Sequence, residues 1–503
     1  MTQTPAAAAP QTTDQGRDDI AALAKGGRTN FIGFFLRLAA RIPFLFIAGR
    51  LYGADALGRF ASALVVVELC GLLATLGLKR GLAQRLTTRD EHHANIVADA
   101  MLVALIAAFV LSAVLFAFPA PLFPSGVHSF NDRLLPLAIV PLAMTELALA
   151  AQAYRFDVKT TVYARAVVEP WTLSIAAAAL WFIVPDGGMS LAYILSNFAA
   201  VIAACIPLVR GYGLPQGWRP RPGGLFALAR ANFPLAVADI VEWGSRRLDI
   251  AILGLFASPG AVGVYWAAQQ VASLPQKLKT SFEPILGPVI TRNLAEGNHA
   301  AIARQVCQVG FWITAAQAGI ALALGIPGEG VMGLVGPEFV GGTGALAFLL
   351  AAEVVASTAV VSEAALVYMA RMRNLAISVA TIGLQAMLTV AGMMLVDAWE
   401  LPQLYRSAAA AAALMLSLGF ASIAKSWLLG GILDHRINNW RWTLVWAAAP
   451  AVVVGWAATR FLPEWAELAF GIPAILGVYC LVIWTRGFGP EDRVLFRKSA
   501  APS

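Results

Sequence analysis

Asp239, Glu242, Arg246 and Asp249 follow one another at spacings of three, four and three residues. On a helix that rhythm brings all four to one face, so an otherwise apolar stretch carries three carboxylates and a guanidinium in a single stripe. A second stretch sets Arg37 four residues before Arg41, on a face shared with Asn30 and Gly33. A third places Gln269, Ser273, Gln276 or Lys277, and Thr280 at helical spacing, with Pro275, Pro284 and Pro288 able to bend it. Guanidinium groups grip phosphate oxygens through paired hydrogen bonds. Arg37, Arg41 and Arg246, joined by Lys277, Asn30 and Gln269, are therefore candidate binders of an anion. Asp239, Glu242 and Asp249 are candidate carriers of a coupling proton or sodium ion. The plainer reading is internal pairing: Arg246 with Glu242 or Asp249, and Arg37 reaching back toward the headgroups. Arg247 and Lys279 lie off these stripes and face elsewhere. Glu68, Asp99, Glu146, Glu169, Glu353 and Glu363 stand singly, mostly as hydrogen-bonded structural groups, with one or two as further coupling candidates.

These residues need unusual surroundings to matter, and the composition supplies them. Of 503 residues 59% are hydrophobic and only 13% charged, and the mean hydropathy is +0.71. That balance lies outside the soluble globular range. Apolar stretches recur that are long enough to cross ~30 Å of hydrocarbon at 1.5 Å per residue. With no water to satisfy backbone amides, such stretches must be helices, and the expected class is an all-α integral membrane protein. The sequence predicts about fourteen spans: α1 (30–51), α2 (56–78), α3 (95–118), α4 (134–154), α5 (165–184), α6 (190–209) and α7 (231–256). The rest are α8 (261–290), α9 (305–326), α10 (344–369), α11 (375–396), α12 (405–425), α13 (443–461) and α14 (467–485). A charge at mid-membrane costs at least ~2.5–3.5 kcal/mol, so the stripes on α1 and α7 call for a reason. A hydrated, net-positive cavity lined by α1, α7 and α8 would supply one.

Lys and Arg fix the orientation. One alternate set of loops (1–29, 79–93, 155–165, 210–230, 291–304, 371–373, 425–442 and 486–503) holds 25 basic residues. The opposite set holds none, with Arg133, Arg406 and Arg460 at its edges. The basic side is expected to be cytoplasmic, as are both termini. The positive charge reports topology, not nucleic-acid binding, because it is spread over many short loops. Residues 1–29 and 487–503 read as cytoplasmic tails, the first disordered rather than a signal peptide. Cys70, Cys205, Cys307 and Cys480 show no metal-ligand spacing and read as packed thiols; no cofactor is expected.

The chain also repeats itself. Residues 41–69 align without gaps on 246–274, an offset of 205. Gly58 falls on Gly263, Ala56 on Ala261, Phe60 on Tyr265, Leu69 on Leu274, and Arg41 on Arg246. Six helices separate the copies, so both halves share one orientation, with substrate expected between them. The division is an N-terminal six-helix lobe (30–222), a C-terminal six-helix lobe (223–430), and α13 and α14 outside the repeat (431–486).

The stretch from Asn30 through Arg50-Leu51-Tyr52-Gly53-Ala54-Asp55-Ala56-Leu57-Gly58-Arg59-Phe60 resembles the opening of Wzx-type polysaccharide transporters. Phe233-Pro234, Arg247-Leu248-Asp249, Gly260-Ala261-Val262-Gly263-Val264-Tyr265 and Ala295-Glu296-Gly297 are similar to that family's seventh and eighth helices. These are lipid-linked oligosaccharide flippases of the multidrug/oligosaccharidyl-lipid/polysaccharide (MOP) exporter superfamily. The resemblance implies an alternating-access transporter of the bacterial inner membrane. It would move undecaprenyl-diphosphate-linked sugar units to the periplasmic leaflet, among membrane lipids and polysaccharide assembly proteins. Lipid II flippases and multidrug antiporters share that architecture and are the alternatives. A membrane polymerase, ligase or glycosyltransferase fits poorly, since the loops opposite the basic side are short and carry no catalytic motif.

Overall fold

The computed structural model describes residues 42–87, 92–155, 157–280, 283–489 and 492–493, and every regular element among them is helical. Asn30, Arg37 and Arg41 lie outside the described residues, as do the side chains of Glu242, Arg246 and Lys277. Among the described residues eleven helical stretches are long and apolar enough to cross a membrane, fewer than the fourteen spans expected. The shortfall has a reason in each case. Most of α1 is outside the described residues. In α5, Arg165 and Glu169 lie within the apolar stretch; α8 (Pro259–Thr280) carries several glutamines and lysines. Within the expected helix 261–290 the described residues are helical over Pro259–Thr280 and Glu283–Ala295, and residues 281–282 lie outside the described residues.

The chain turns from α1 into α2 (Gly53–Ala74) without a loop. α1 ends in a π turn, Ala48–Tyr52, and Gly53 takes φ +80°, a region that favours glycine. A short helix, Leu78–Leu86, follows on the side of the basic loops. The remaining elements used below are α4 (Ile139–Tyr154), α6 (Gly188–Tyr212), α7 (Pro222–Phe256), α9 (His299–Gly325), α10 (Thr343–Met369), α11 (Arg371–Ala398), α12 (Leu404–Leu433) and α13 (Thr443–Phe461). α5 is built in pieces: Val158–Val162, a π turn at Tyr163–Val168, then Glu169–Trp181. α14 comprises Glu464–Gly487.

Two apolar cores hold the helices, and their extents differ. The larger runs from half to half, with Leu57, Phe60 and Leu64 of α2 in one cluster with Val262 and Tyr265 of α8 and Leu346 of α10. The smaller is confined to the C-terminal half together with α13 and α14, around Ile302, Phe311, Val361, Leu429 and Tyr479. Residues at the end of the bundle away from the basic loops thus share one core across both halves. There, Arg50 donates to the carbonyls of Leu334 (3.0 Å) and Gly333 (3.4 Å), and the Ala54 amide donates to Glu338 (2.9 Å).

The repeat-related glycines meet. A Cβ on Gly58 would stand 1.7 Å from the Pro259 carbonyl oxygen, and one on Gly263 would stand 2.0 Å from that of Ala54. α2 and α8 therefore cross backbone to backbone.

Several charges and thiols sit elsewhere than expected. Lys425, expected in a basic loop, is buried within α12 and bonded to Glu363 (2.9 Å) and Ser378 (3.1 Å). Arg165, expected at a loop edge, lies inside α5. Of the four thiols only Cys70 is fully buried and Cys480 is exposed, because α14 turns that face outward.

Candidate functional site

The polar stripe of α7 is the natural starting point. Asp239 is buried and takes a 2.6 Å bond from Arg80 Nε of the short helix Leu78–Leu86. Its second carboxylate oxygen has no partner among the described residues. Ten residues on, Asp249 is also buried. One oxygen accepts the Ile250 amide (2.9 Å); the other accepts Tyr265 OH (2.5 Å) and Gln269 Nε2 (2.8 Å) from α8. Three donors satisfy this carboxylate without an arginine. The structure thus brings Asp249 and Gln269 together, while Asp239 turns to the N-terminal half.

Arg247, off the stripe, ties the two halves together. Its guanidinium grips Glu68 of α2 with Nε at 2.9 Å and Nη2 at 3.2 Å, a paired geometry that lysine does not reproduce. Between this pair and Asp239, the Trp243 indole donates to the Val65 carbonyl at 3.2 Å. Asn232 packs where Cβ atoms on Gly77 and Gly81 would stand. By the repeat α7 opens the C-terminal half, yet along three turns it is fastened to the N-terminal half.

A second group lies inside the N-terminal half. Glu146 of α4 accepts Lys79 Nζ at 2.7 Å and is also bonded by Arg165, whose other nitrogen reaches Glu169 at 2.6 Å. Arg165 sits in the π turn of α5, a distortion that re-aims side chains and recurs at functional sites. Two cations thus face two carboxylates, each only partly exposed. Asp99 accepts the Trp218 indole at 2.7 Å. Of the carboxylates expected to stand singly, Glu68, Glu146, Glu169 and Glu363 are salt-bridged and Asp99 is hydrogen-bonded.

Sequence reasoning did not single out Lys79, Arg80, Arg165 or Lys425. All four are counted there as loop charges, and their partners lie between 4 and 159 residues away. The available signal was their nearness to span ends, where a long side chain can reach inward.

These features define a polytopic helical bundle of two halves related by a repeat, with ion pairs between and within them. Comparison with known proteins agrees. Residues 47–309 match the model of the polysaccharide biosynthesis protein family, and the chain belongs to that family. No curated protein matches it. Among solved structures, the fold is similar to the lipid II flippase MurJ in an inward closed conformation, with TM-score 0.67 and 9% identity over 92% of this chain and 99% of that one. It is also similar to a multidrug resistance transporter of the MATE family, of the MOP superfamily, in an inward-facing conformation. That match has TM-score 0.64 and 13% identity over 80% of this chain and 95% of the other. The protein is a multi-pass helical membrane protein of the polysaccharide biosynthesis family, with a fold like that of these two structures.

Proposed function

We propose that the protein is a flippase of the bacterial inner membrane. It carries an undecaprenyl-diphosphate-linked oligosaccharide from the cytoplasmic to the periplasmic leaflet for cell-surface polysaccharide synthesis. On this reading the basic loops are cytoplasmic. The observation that carries it is the balance of intramembrane charge. Glu68, Glu146, Glu169, Asp239 and Glu363 have cationic partners, and Asp249 is satisfied by Tyr265, Gln269 and its neighbour's amide. Asp249 therefore has its donors without an arginine, and on this reading the arginines matched by the repeat, Arg41 and Arg246, serve an anionic headgroup. A diphosphate is such a headgroup, and it cannot cross hydrocarbon unaided.

The working site is Arg37, Arg41 and Arg246 with Lys277, Asn30 and Gln269. As α1 and α8 rearrange, diphosphate oxygens exchange water for guanidinium donors. Asp239, with one unpartnered oxygen, is the first candidate for the coupling ion, ahead of Glu242 and Asp249.

The test is binding of undecaprenyl diphosphate to purified protein, with lipid II and a cationic drug as competitors. Each charge-assisted hydrogen bond is worth ~1.5–3 kcal/mol, so Arg41→Ala and Arg246→Ala are each expected to weaken binding about tenfold or more. Arginine to lysine restores only part of it. Unchanged binding by both alanine variants, or displacement by the cation alone, counts against the reading.

A further inference from the structure

A cavity of about 360 Å³ lies at the end of the bundle away from the basic loops. One wall is the turn from α1 to α2, Gly49 to Gly53; the other is Pro337 and Glu338, just ahead of α10. Ligand pockets run from roughly 300 to 1,000 Å³, so this one suits a single unit of a larger ligand.

Two side chains on its walls have bonding capacity to spare. Arg50 spends Nε on the Leu334 carbonyl (3.0 Å) and Nη2 on that of Gly333 (3.4 Å), while Nη1 bonds nothing among the described residues. Glu338 takes the Ala54 amide on Oε2 (2.9 Å), and its Oε1 accepts from nothing among them. The two charges do not pair with each other, because carbonyls hold the guanidinium and an amide holds the carboxylate. Tyr52 completes the wall. Its hydroxyl donates to the Ala177 carbonyl at 2.8 Å, and its ring meets Trp181 edge to face at 5.1 Å, so the aromatic surface is fixed in place. The π turn Ala48–Tyr52 that presents these groups is a distortion that recurs at functional sites.

This chemistry narrows the ligand. One positive and one negative group cancel, so a bare phosphate or diphosphate gains no net attraction here. Neighbouring sugar hydroxyls each donate and accept, which matches a free guanidinium N–H beside a free carboxylate oxygen. The apolar side of a sugar ring packs well on an aromatic side chain with a polar tip.

We propose that this cavity is a glycan subsite, which holds one sugar ring through Arg50, Glu338 and Tyr52 and makes the protein selective for the sugar as well as the headgroup. The proposal rests on the reading of the cargo as a lipid-linked oligosaccharide, and it concerns the sugar and not the diphosphate.

The test uses full-length protein in nanodiscs free of glycoside detergent. Methyl glycosides of a neutral hexose, a deoxyhexose, an N-acetylhexosamine and a uronic acid are offered singly, and binding is read by saturation-transfer NMR. Phosphoethanolamine and inorganic diphosphate serve as competitors. At least one glycoside is expected to bind, and neither competitor to displace it. Glu338→Gln keeps an oxygen for the Ala54 amide but removes the charge; Leu51→Trp fills the cavity and alters neither charged group. Each is expected to weaken binding about tenfold. No glycoside bound, binding unchanged in a folded variant, or displacement by either competitor overturns the subsite. If one variant fails to fold, the other decides. Free glycosides carry neither lipid nor diphosphate, so the two readings fail separately. Glycoside binding that both variants lose, in a protein that moves no diphosphate-linked lipid, keeps the subsite and rejects the flippase; lipid movement by a protein that binds no glycoside does the reverse.

Discussion

Removing the Arg247 side chain strands Glu68 at the interface of the two halves. The pair is bidentate, at 2.9 and 3.2 Å, and its side chains are 27% and 26% exposed. Breaking a fully buried pair by deleting one partner costs ~3–5 kcal/mol, because the other charge stays desolvated. Exposure of about a quarter screens part of that, so Arg247→Gln is expected to destabilise by about 2–3 kcal/mol. Glu68→Gln strands the arginine instead, at a comparable cost. Glu68→Gln/Arg247→Gln removes both charges and leaves two amides able to bond one another. The double variant is expected to be more stable than either single one, with a coupling energy of about 2 kcal/mol. The assay is heat- or denaturant-induced unfolding of purified protein in detergent, read by tryptophan fluorescence for all four proteins of the cycle. Trp243 lies a turn away and donates to Val65, so its emission reports this same seam. Single changes that each cost under about 0.5 kcal/mol, or costs that simply add in the double variant, refute the pairing.

Other outcomes follow from the same geometry. Cysteines placed in 119–132 and 327–343 are expected to label from outside intact cells, and those in 79–93 and 210–230 are not; labelling at 210–230 contradicts the span order. Asp239→Asn is expected to weaken the dependence of transport on an ion gradient more than Glu242→Gln does, and unchanged coupling in both moves the search to Glu353 or Glu363. Beyond α14, Asp492 meets Arg441 (2.7 Å), the Trp312 indole (2.9 Å) and the Gly489 amide (3.0 Å). Burial pushes its carboxyl up, but the Arg441 bond and charge, with the Gly489 and Trp312 bonds, outweigh that and hold it below the usual value. A depressed folded value means stabilisation that is present above the ordinary aspartate range near ~3.9 and lost as pH falls through the folded value. Acid unfolding of this clasp, followed by Trp312 fluorescence, is expected to flatten in Asp492→Asn.

The helical class and the order of the spans were legible because hydrocarbon leaves the backbone few choices: long apolar runs must be helices. The repeat was legible as a register, Gly58 on Gly263, but nothing in one sequence says that the axis passes between those two residues. Helical spacing placed Asp239 and Asp249 on one stripe, yet it could not name their partners. Arg80 lies 159 residues from Asp239, and Glu68 lies 179 from Arg247. Arg247 shows the limit well: its position off the stripe indicated that it faces elsewhere, and the fold supplies Glu68. Lys425 and Arg165 were misplaced for one reason. Counting basic residues near span ends assigns them to loops, whereas a carboxylate on the adjacent helix holds each of them inside.

The central claim, a cationic path for a diphosphate-linked sugar, is most directly tested by reconstitution. Purified protein is placed in vesicles containing an undecaprenyl-diphosphate-linked oligosaccharide, and its arrival in the opposite leaflet is read by exposure to an impermeant sugar-binding probe. Wild-type protein is predicted to move the lipid well above the rate in empty vesicles, with Arg246→Ala slower by about tenfold, the loss of one charge-assisted hydrogen bond. Movement no faster than in empty vesicles, or an Arg246→Ala rate equal to that of the wild type, contradicts the account.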